Sequence, residues 1–164
     1  MDPTGVAVPQ AVIQSRWTTE TTRELFQQGQ LAETLGIRLT AVRPDGMDAQ
    51  VTVGDAHLRP DGIANGGLAL VLVETLGSVS ACCAVDFERY NVFGMTVNVS
   101  HFKPAGKGQK LTARSIAVHV GRTTQVWDVV IQNEDSILIS SGRITLIVLP
   151  RARDTVASGQ SSPA

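Results

Sequence analysis

Residues 61–77 read DGIANGGLALVLVETLG: a turn-forming opening, two glycines, a run rich in leucine and valine, and one carboxylate, Glu74, set among them. Asn65 is a favoured N-cap, so the spacing predicts a helix that begins at Gly66. Leu68, Leu70, Val71, Leu72, Val73, Leu76 and Val79 point nearly all the way round a 3.6-residue helix, which predicts a central helix wrapped by protein. Continued to Val85, the segment has the length of a membrane span. Glu74 would then lie near mid-membrane, however, and no cluster of Lys or Arg flanks the run. A buried core helix is expected, with no membrane as partner.

On either side of this helix the pattern changes. Residues 18–35, with Leu25, Phe26, Leu31 and Leu35 at helical spacings, predict one helix ended by Gly36. Residues 37–42 and 47–53 predict two strands of a hairpin, split by the turn residues Pro44, Asp45 and Gly46. Downstream, Met95, Val97 and Val99 alternate with Thr96, Asn98 and Ser100, as a strand with one apolar face requires. Residues 110–120, 124–132 and 137–149 are β-branched or aromatic-rich and predict an antiparallel meander. The expected fold class is therefore α+β, an antiparallel sheet curled around one long helix. Residues 1–30 are read as an N-terminal segment with a short helix, 31–150 as the domain, and 151–164 as a flexible tail. One curved sheet of this size cannot cover a helix on every side, so its open side is expected to meet a second subunit.

The chain has 164 residues, 43% hydrophobic and 18% charged, which suits a single globular domain. A formal net charge of -1 offers no broad attraction for nucleic acid, which is not expected as a partner. Cys82 and Cys83 are adjacent in an apolar run and lack the spacing of a metal site or disulfide framework. His57, His101 and His119 are far apart in sequence, so no metal site is expected. His101 is in phase with Met95, Val97 and Val99 and reads as a satisfied strand residue. Asp2, Glu20, Glu24 and the lack of a continuous apolar stretch in the first 30 residues argue against a secretory signal, and a cytoplasmic location is expected.

The chemistry centres on Glu74. An acid taken out of water is costly unless it is paired, and such an acid suits a general base or nucleophile. The other reading is that it faces a polar seam or pairs with an arginine such as Arg59 or Arg114. Ser78, four residues on, shares its helical face and can hold the carboxylate or a water, or bond back to the carbonyl of Glu74. Gly66 and Gly67 let a ligand approach the free N–H groups at the positive end of the helix, a site suited to an oxyanion. Gly66 and Glu74 are separated by roughly 12 Å along the helix and about 80° around it. Acting on one carbonyl, they must come from two subunits.

The stretch HLRPDGIANGGLALVLVETLGSVSA resembles the core motif of hotdog-fold acyl-CoA thioesterases of the phenylacetate-pathway and 4-hydroxybenzoyl-CoA thioesterase type. There a loop ending in G-x-x-H-G-G opens the central helix and a carboxylate comes after it. NVSHFKPAGKGQKL and HVGRTTQVWDVVI resemble later strands of the same family, so the likeness covers roughly residues 31–150. The resemblance implies hydrolysis of an acyl-CoA thioester to acid and CoA at a homodimer interface, in a dimer or a dimer of dimers. It implies Glu74 as the attacking or water-activating acid, Ser78 as its hydroxyl assistant, and Gly66 as N–H donor to the thioester oxygen. No cofactor is expected, CoA being part of the substrate. Basic and hydroxyl residues near Lys103, Arg122 and Thr123, with Arg151, are implied for the CoA phosphates.

Two positions depart from that pattern. The family's histidine is Asn65 here, which can cap the helix and donate an amide N–H but cannot be protonated as imidazole can. A glutamine six residues earlier is matched by Arg59, a fixed cation beside the acyl pocket that can stabilise an oxyanion, attract a substrate carboxylate, or pair with Glu74. These changes leave two rival readings. One is a non-catalytic acyl-CoA binding or sensing module on the same scaffold. The other is a hotdog dehydratase or hydratase of hydroxyacyl thioesters, for which Asn65 removes the obvious histidine.

Overall fold

The computed structural model describes residues 11–27 and 30–151. Their elements are α1 (Thr19–Gln27), α2 (Gln30–Thr34), β1 (Arg38–Arg43), β2 (Gly46–Thr52), a 3₁₀ turn (Asp55–His57), α3 (Gly66–Cys83), β3 (Tyr90–His101), β4 (Lys110–Val120), β5 (Thr124–Gln132) and β6 (Leu138–Pro150). The single helix expected over residues 18–35 is described as α1 and α2, with residues 28 and 29 outside the described set. Gly36, at φ 62°, turns the chain out of α2 through a conformation that only glycine adopts readily. Residues 1–10 of the expected N-terminal segment, and all of the expected tail beyond Arg151, lie outside the described residues.

The six strands form one antiparallel sheet in the order β1-β2-β4-β5-β6-β3. β4, β5 and β6 pair as the meander their alternation predicts. β3 comes after α3 in the chain yet pairs with β6, with Asn98 opposite Arg143 and Gly94 opposite Leu146, and so becomes a free edge. α3 lies against β2 to β6. Leu68, Leu72, Val73 and Leu76 of the helix share one buried cluster with Trp127, Val129, Ile131, Ile144 and Leu146 of the sheet. Each such side chain contributes about 1.5–3 kcal/mol by leaving water. At Gly77 a Cβ would lie 2.3 Å from Ile144 Cγ2, so glycine is what lets helix and sheet meet this closely. A buried polar link joins the same layers. Trp127 Nε1 donates to Gln125 Oε1 at 2.9 Å, and Gln125 Nε2 donates to the Ala81 carbonyl at 3.4 Å, near the end of α3.

This is the α+β hotdog architecture expected, with two corrections. Three apolar residues of β3 do not reach the core: Phe93 is 52% exposed, Met95 57% and Val97 37%, whereas Val92 and Val99 pack against it. An edge strand has a neighbour on one side only, and a bulge between Gly94 and Thr96 shifts the alternation. α3, for its part, is wrapped on one side rather than all round, leaving Leu70 and Glu74 exposed. α3 is long and apolar enough to cross a membrane, and half of it is buried inside this protein.

Candidate active site

A short framework of backbone bonds positions the tip of α3. The buried His57 accepts from Gly54 N–H on Nδ1 at 2.9 Å and, through Nε2, meets the Leu35 carbonyl at 3.0 Å. Its own carbonyl takes Asn65 N–H at 2.7 Å, while Ala64 N–H donates to the Ala105 carbonyl at 2.8 Å. The loop before the helix is thereby tied to α2 and to the segment after β3. Asn65 then caps α3 as its residue type predicts, its Oδ1 accepting Gly67 N–H at 2.8 Å. One expectation changes here. Of the two glycines only Gly66 keeps an N–H without a partner among the described residues, because the cap occupies that of Gly67.

Gly66 opens into a cleft of about 410 Å³, lined at its mouth by Arg59, Asn65, His101 and Lys103 and inside by apolar side chains including Leu68, Leu111, Ile131 and Ile139. The size suits a small-molecule site. Arg59 does not pair with Glu74. Its guanidinium binds the Asp61 carboxylate, with Nε to Oδ1 at 3.1 Å, and this hydrogen bond raises the arginine and lowers the acid from their ordinary pKa values. Arg114 is likewise taken, by Asp48 at 3.1 Å. Both candidate partners being occupied, the Glu74 carboxylate is held by Ser78, whose Oγ donates to Oε1 at 2.9 Å.

Glu74 was expected to be buried, and in this chain it is exposed. Two turns beyond the cleft, it lies on the open face of α3 beside the β3 bulge, where a Cβ on Gly94 would stand 3.2 Å from Oε1. Gly66 and Glu74 thus face different spaces within one chain, as their spacing predicts. The cationic candidates divide in the same way. Lys103 lines the cleft. Arg122 and Thr123 are exposed in the β4–β5 turn, and β4, whose Leu111 lines the cleft, spans nine residues from there to Val120, roughly 30 Å. Arg151 is at the same far end, with its guanidinium 4.7 Å from the centre of the Phe87 ring.

The cysteines offer no nucleophile. Burial pushes the Cys83 thiol up to about 12 and raises Cys82 as well. What sequence reasoning missed is His101: the ring read as a strand residue stands over Gly66, with Nε2 2.9 Å from where a Cβ there would be. The signal was its place at the end of a strand, one residue before the loop that closes the cleft, but only the sheet order shows which helix end it meets.

A carboxylate with a hydroxyl attached, and a separate helix tip with a free N–H, is an arrangement for splitting an acyl bond. Residues 61–140 match the thioesterase superfamily. The Pseudomonas aeruginosa protein PA1618 is 34% identical over 126 residues, 77% of this chain and 86% of its own length. The chain belongs to the thioesterase superfamily. This thioesterase is also 32% identical over 118 residues to the 1,4-dihydroxy-2-naphthoyl-CoA hydrolase of Listeria monocytogenes, covering 72% of this chain and 94% of that one. A crystal structure of a mutant of thioesterase PA1618 matches it with a TM-score of 0.80 at 30% identity, over 86% of this chain and 100% of the other. Thioester hydrolysis is the activity that the family carries.

Proposed function

We propose that this thioesterase hydrolyses acyl-CoA at a site shared by two protomers, with Glu74 and Ser78 from one and the tip of α3 from its partner. The observation that carries this reading is the split of the chemistry within one chain. Gly66 opens into the cleft, whereas Glu74 lies outside it on the bare face of α3, next to the exposed Phe93, Met95 and Val97 of edge strand β3. A second copy covering that edge would remove apolar surface and unpaired strand groups from water and bring its own helix tip toward Glu74.

Gly66 N–H polarises the thioester carbonyl and holds the oxyanion of the tetrahedral intermediate, aided by the positive end of the helix. Asn65 keeps that N–H directed outward by capping the neighbouring amide. Glu74 either attacks the carbonyl carbon or takes a proton from the attacking water. Ser78, bonded to Oε1, orients the carboxylate. The C–S bond breaks and CoA leaves as its thiolate, which takes up a proton; where Glu74 itself attacks, a water then cleaves the resulting acyl anhydride, releasing the acid and restoring the carboxylate. For the CoA phosphates, Lys103 of one protomer and Arg122, Thr123 and Arg151 of the other supply donors, since one chain holds these groups at opposite ends of its sheet. The pairing of Arg59 with Asp61 speaks against a silenced site, because it leaves Glu74 unblocked.

The deciding experiment is thiol release from a panel of aromatic and aliphatic acyl-CoA esters, comparing the protein with its Glu74→Gln variant. Turnover well above the variant on at least one ester supports the reading. Binding without turnover on all of them moves the protein to the sensing-module reading, and enoyl product from a 3-hydroxyacyl-CoA without thiol release moves it to the dehydratase reading.

A further inference from the structure

The motif that this chain resembles has a histidine where Asn65 stands, so the helix tip lacks the imidazole which that resemblance implies. Another imidazole stands there. His101, the last residue of β3, lies over Gly66 so closely that a Cβ on that glycine would be 2.9 Å from Nε2 and 3.2 Å from Cε1. On its other side the ring is held by Ser140 of β6, with Nδ1 and Oγ 3.0 Å apart across the paired strands.

Burial sets the direction of that bond. Ser140 is 1% exposed and its hydroxyl has no other partner among the described residues. If Nδ1 carried the proton and donated, the serine O–H would be left as a buried, unsatisfied donor, at a penalty of about 1–3 kcal/mol. The serine therefore donates to Nδ1, and the ring proton sits on Nε2. Nε2 is the ring atom nearest Gly66, and the ring and Gly66 line the same cleft.

We infer that His101 is a second hydrogen-bond donor to the thioester oxygen, replacing the imidazole absent at position 65, and that Ser140 is the positioning residue that keeps its proton on Nε2. The inference rests on hydrolysis at Gly66. It also explains why position 66 must be glycine in this chain, since any side chain there would displace the imidazole.

The test is steady-state thiol release with His101→Ala, His101→Gln, Ser140→Ala and the His101→Ala/Ser140→Ala pair, on whichever acyl-CoA the wild type turns over fastest. Loss of one oxyanion donor lowers kcat about 10²- to 10³-fold. His101→Ala is expected to show that loss with KM within about threefold, and His101→Gln, which retains a side-chain N–H, to recover at least about tenfold of it. Ser140→Ala is expected to lower kcat several-fold, and the double variant to match His101→Ala alone, because Ser140 acts only through the ring. If the alanine variant unfolds, His101→Phe, which fills the volume without a donor, takes its place with the same expected loss. A kcat within threefold of wild type for His101→Ala or His101→Phe, a change confined to KM, or additive losses in the double variant overturns the inference. Turnover that Glu74→Gln abolishes and His101→Ala spares overturns it alone, whereas no wild-type turnover on any acyl-CoA overturns the proposed function with it.

Discussion

Ser78 Oγ donates to Glu74 Oε1 at 2.9 Å, one helical turn away on the open face of α3. The hydroxyl holds one carboxylate oxygen and leaves the other for a water or a carbonyl carbon. Glu74→Gln should lower kcat by about 10²- to 10⁴-fold, the range for loss of a general base. Ser78→Ala should lower it less, by about tenfold, with little change in melting temperature, because a hydrogen bond at an exposed site adds at most about 1 kcal/mol. Thiol-release kinetics and a melting curve measure both.

Gly94 leaves the space that the Glu74 carboxylate fills. A Cβ there would lie 3.2 Å from Oε1 and 3.6 Å from Oε2, tight enough to push the flexible acid aside by a few tenths of an ångström without disturbing the strand. Misplacement of a reacting group by about 1 Å can cost 10²-fold in rate. Gly94→Ala is therefore expected to reduce kcat by roughly tenfold while leaving the urea midpoint in place. Unchanged kinetics would show that Glu74 is not held at this position during turnover.

The exposed edge of β3 predicts an assembly that can be broken. Met95→Asp puts a charge where an apolar face should meet its copy, and light scattering should then show a monomer in place of a dimer or tetramer. Thiol release should fall to the level of Glu74→Gln. A monomeric variant of full activity would mean that one chain carries the whole site.

Gln125 is fully buried and bridges Trp127 Nε1 to the Ala81 carbonyl. Gln125→Leu keeps the volume but strands a donor on Trp127, so urea unfolding should show a loss of about 1–3 kcal/mol. Activity at low temperature should be retained, since the link is remote from the cleft.

Burial raises the Cys83 thiol from its ordinary 9.0 to about 12 in the folded protein. The folded state thus favours the neutral thiol, and the unfolded chain gives up its proton first. The stability tied to this group is complete below about pH 9 and declines as pH rises toward 12. Urea unfolding at pH 8 and at pH 10.5 should show the decline, and Cys83→Ala should lessen it, leaving the part that Cys82, also raised by burial, contributes. In the native state at pH 8, Cys83 should resist a thiol reagent.

The elements along the chain were decided locally. Asn65 can cap only a helix that begins directly after it, the alternation of β4 and β5 admits one buried face, and the apolar turns of α3 need a core, so helix, strands and the α+β class could be read from residue type and spacing. The distance between Gly66 and Glu74 could be read too, because a helix has a fixed rise. These features depend on neighbours within a few residues, which sequence displays directly.

Contacts between distant residues could not be read in that way. That β3 crosses to pair with β6, and so becomes an edge that exposes Met95 and Glu74, depends on the sheet order. The same crossing brings His101 over Gly66, 35 residues apart in the chain, and seats it on Ser140. Arg59 had several oppositely charged or reactive groups within conceivable reach, and only the turn of its own loop selects Asp61. Local sterics and hydrophobic period belong to the chain itself, whereas the partner of a charge or a ring is chosen by packing that joins segments the chain keeps apart.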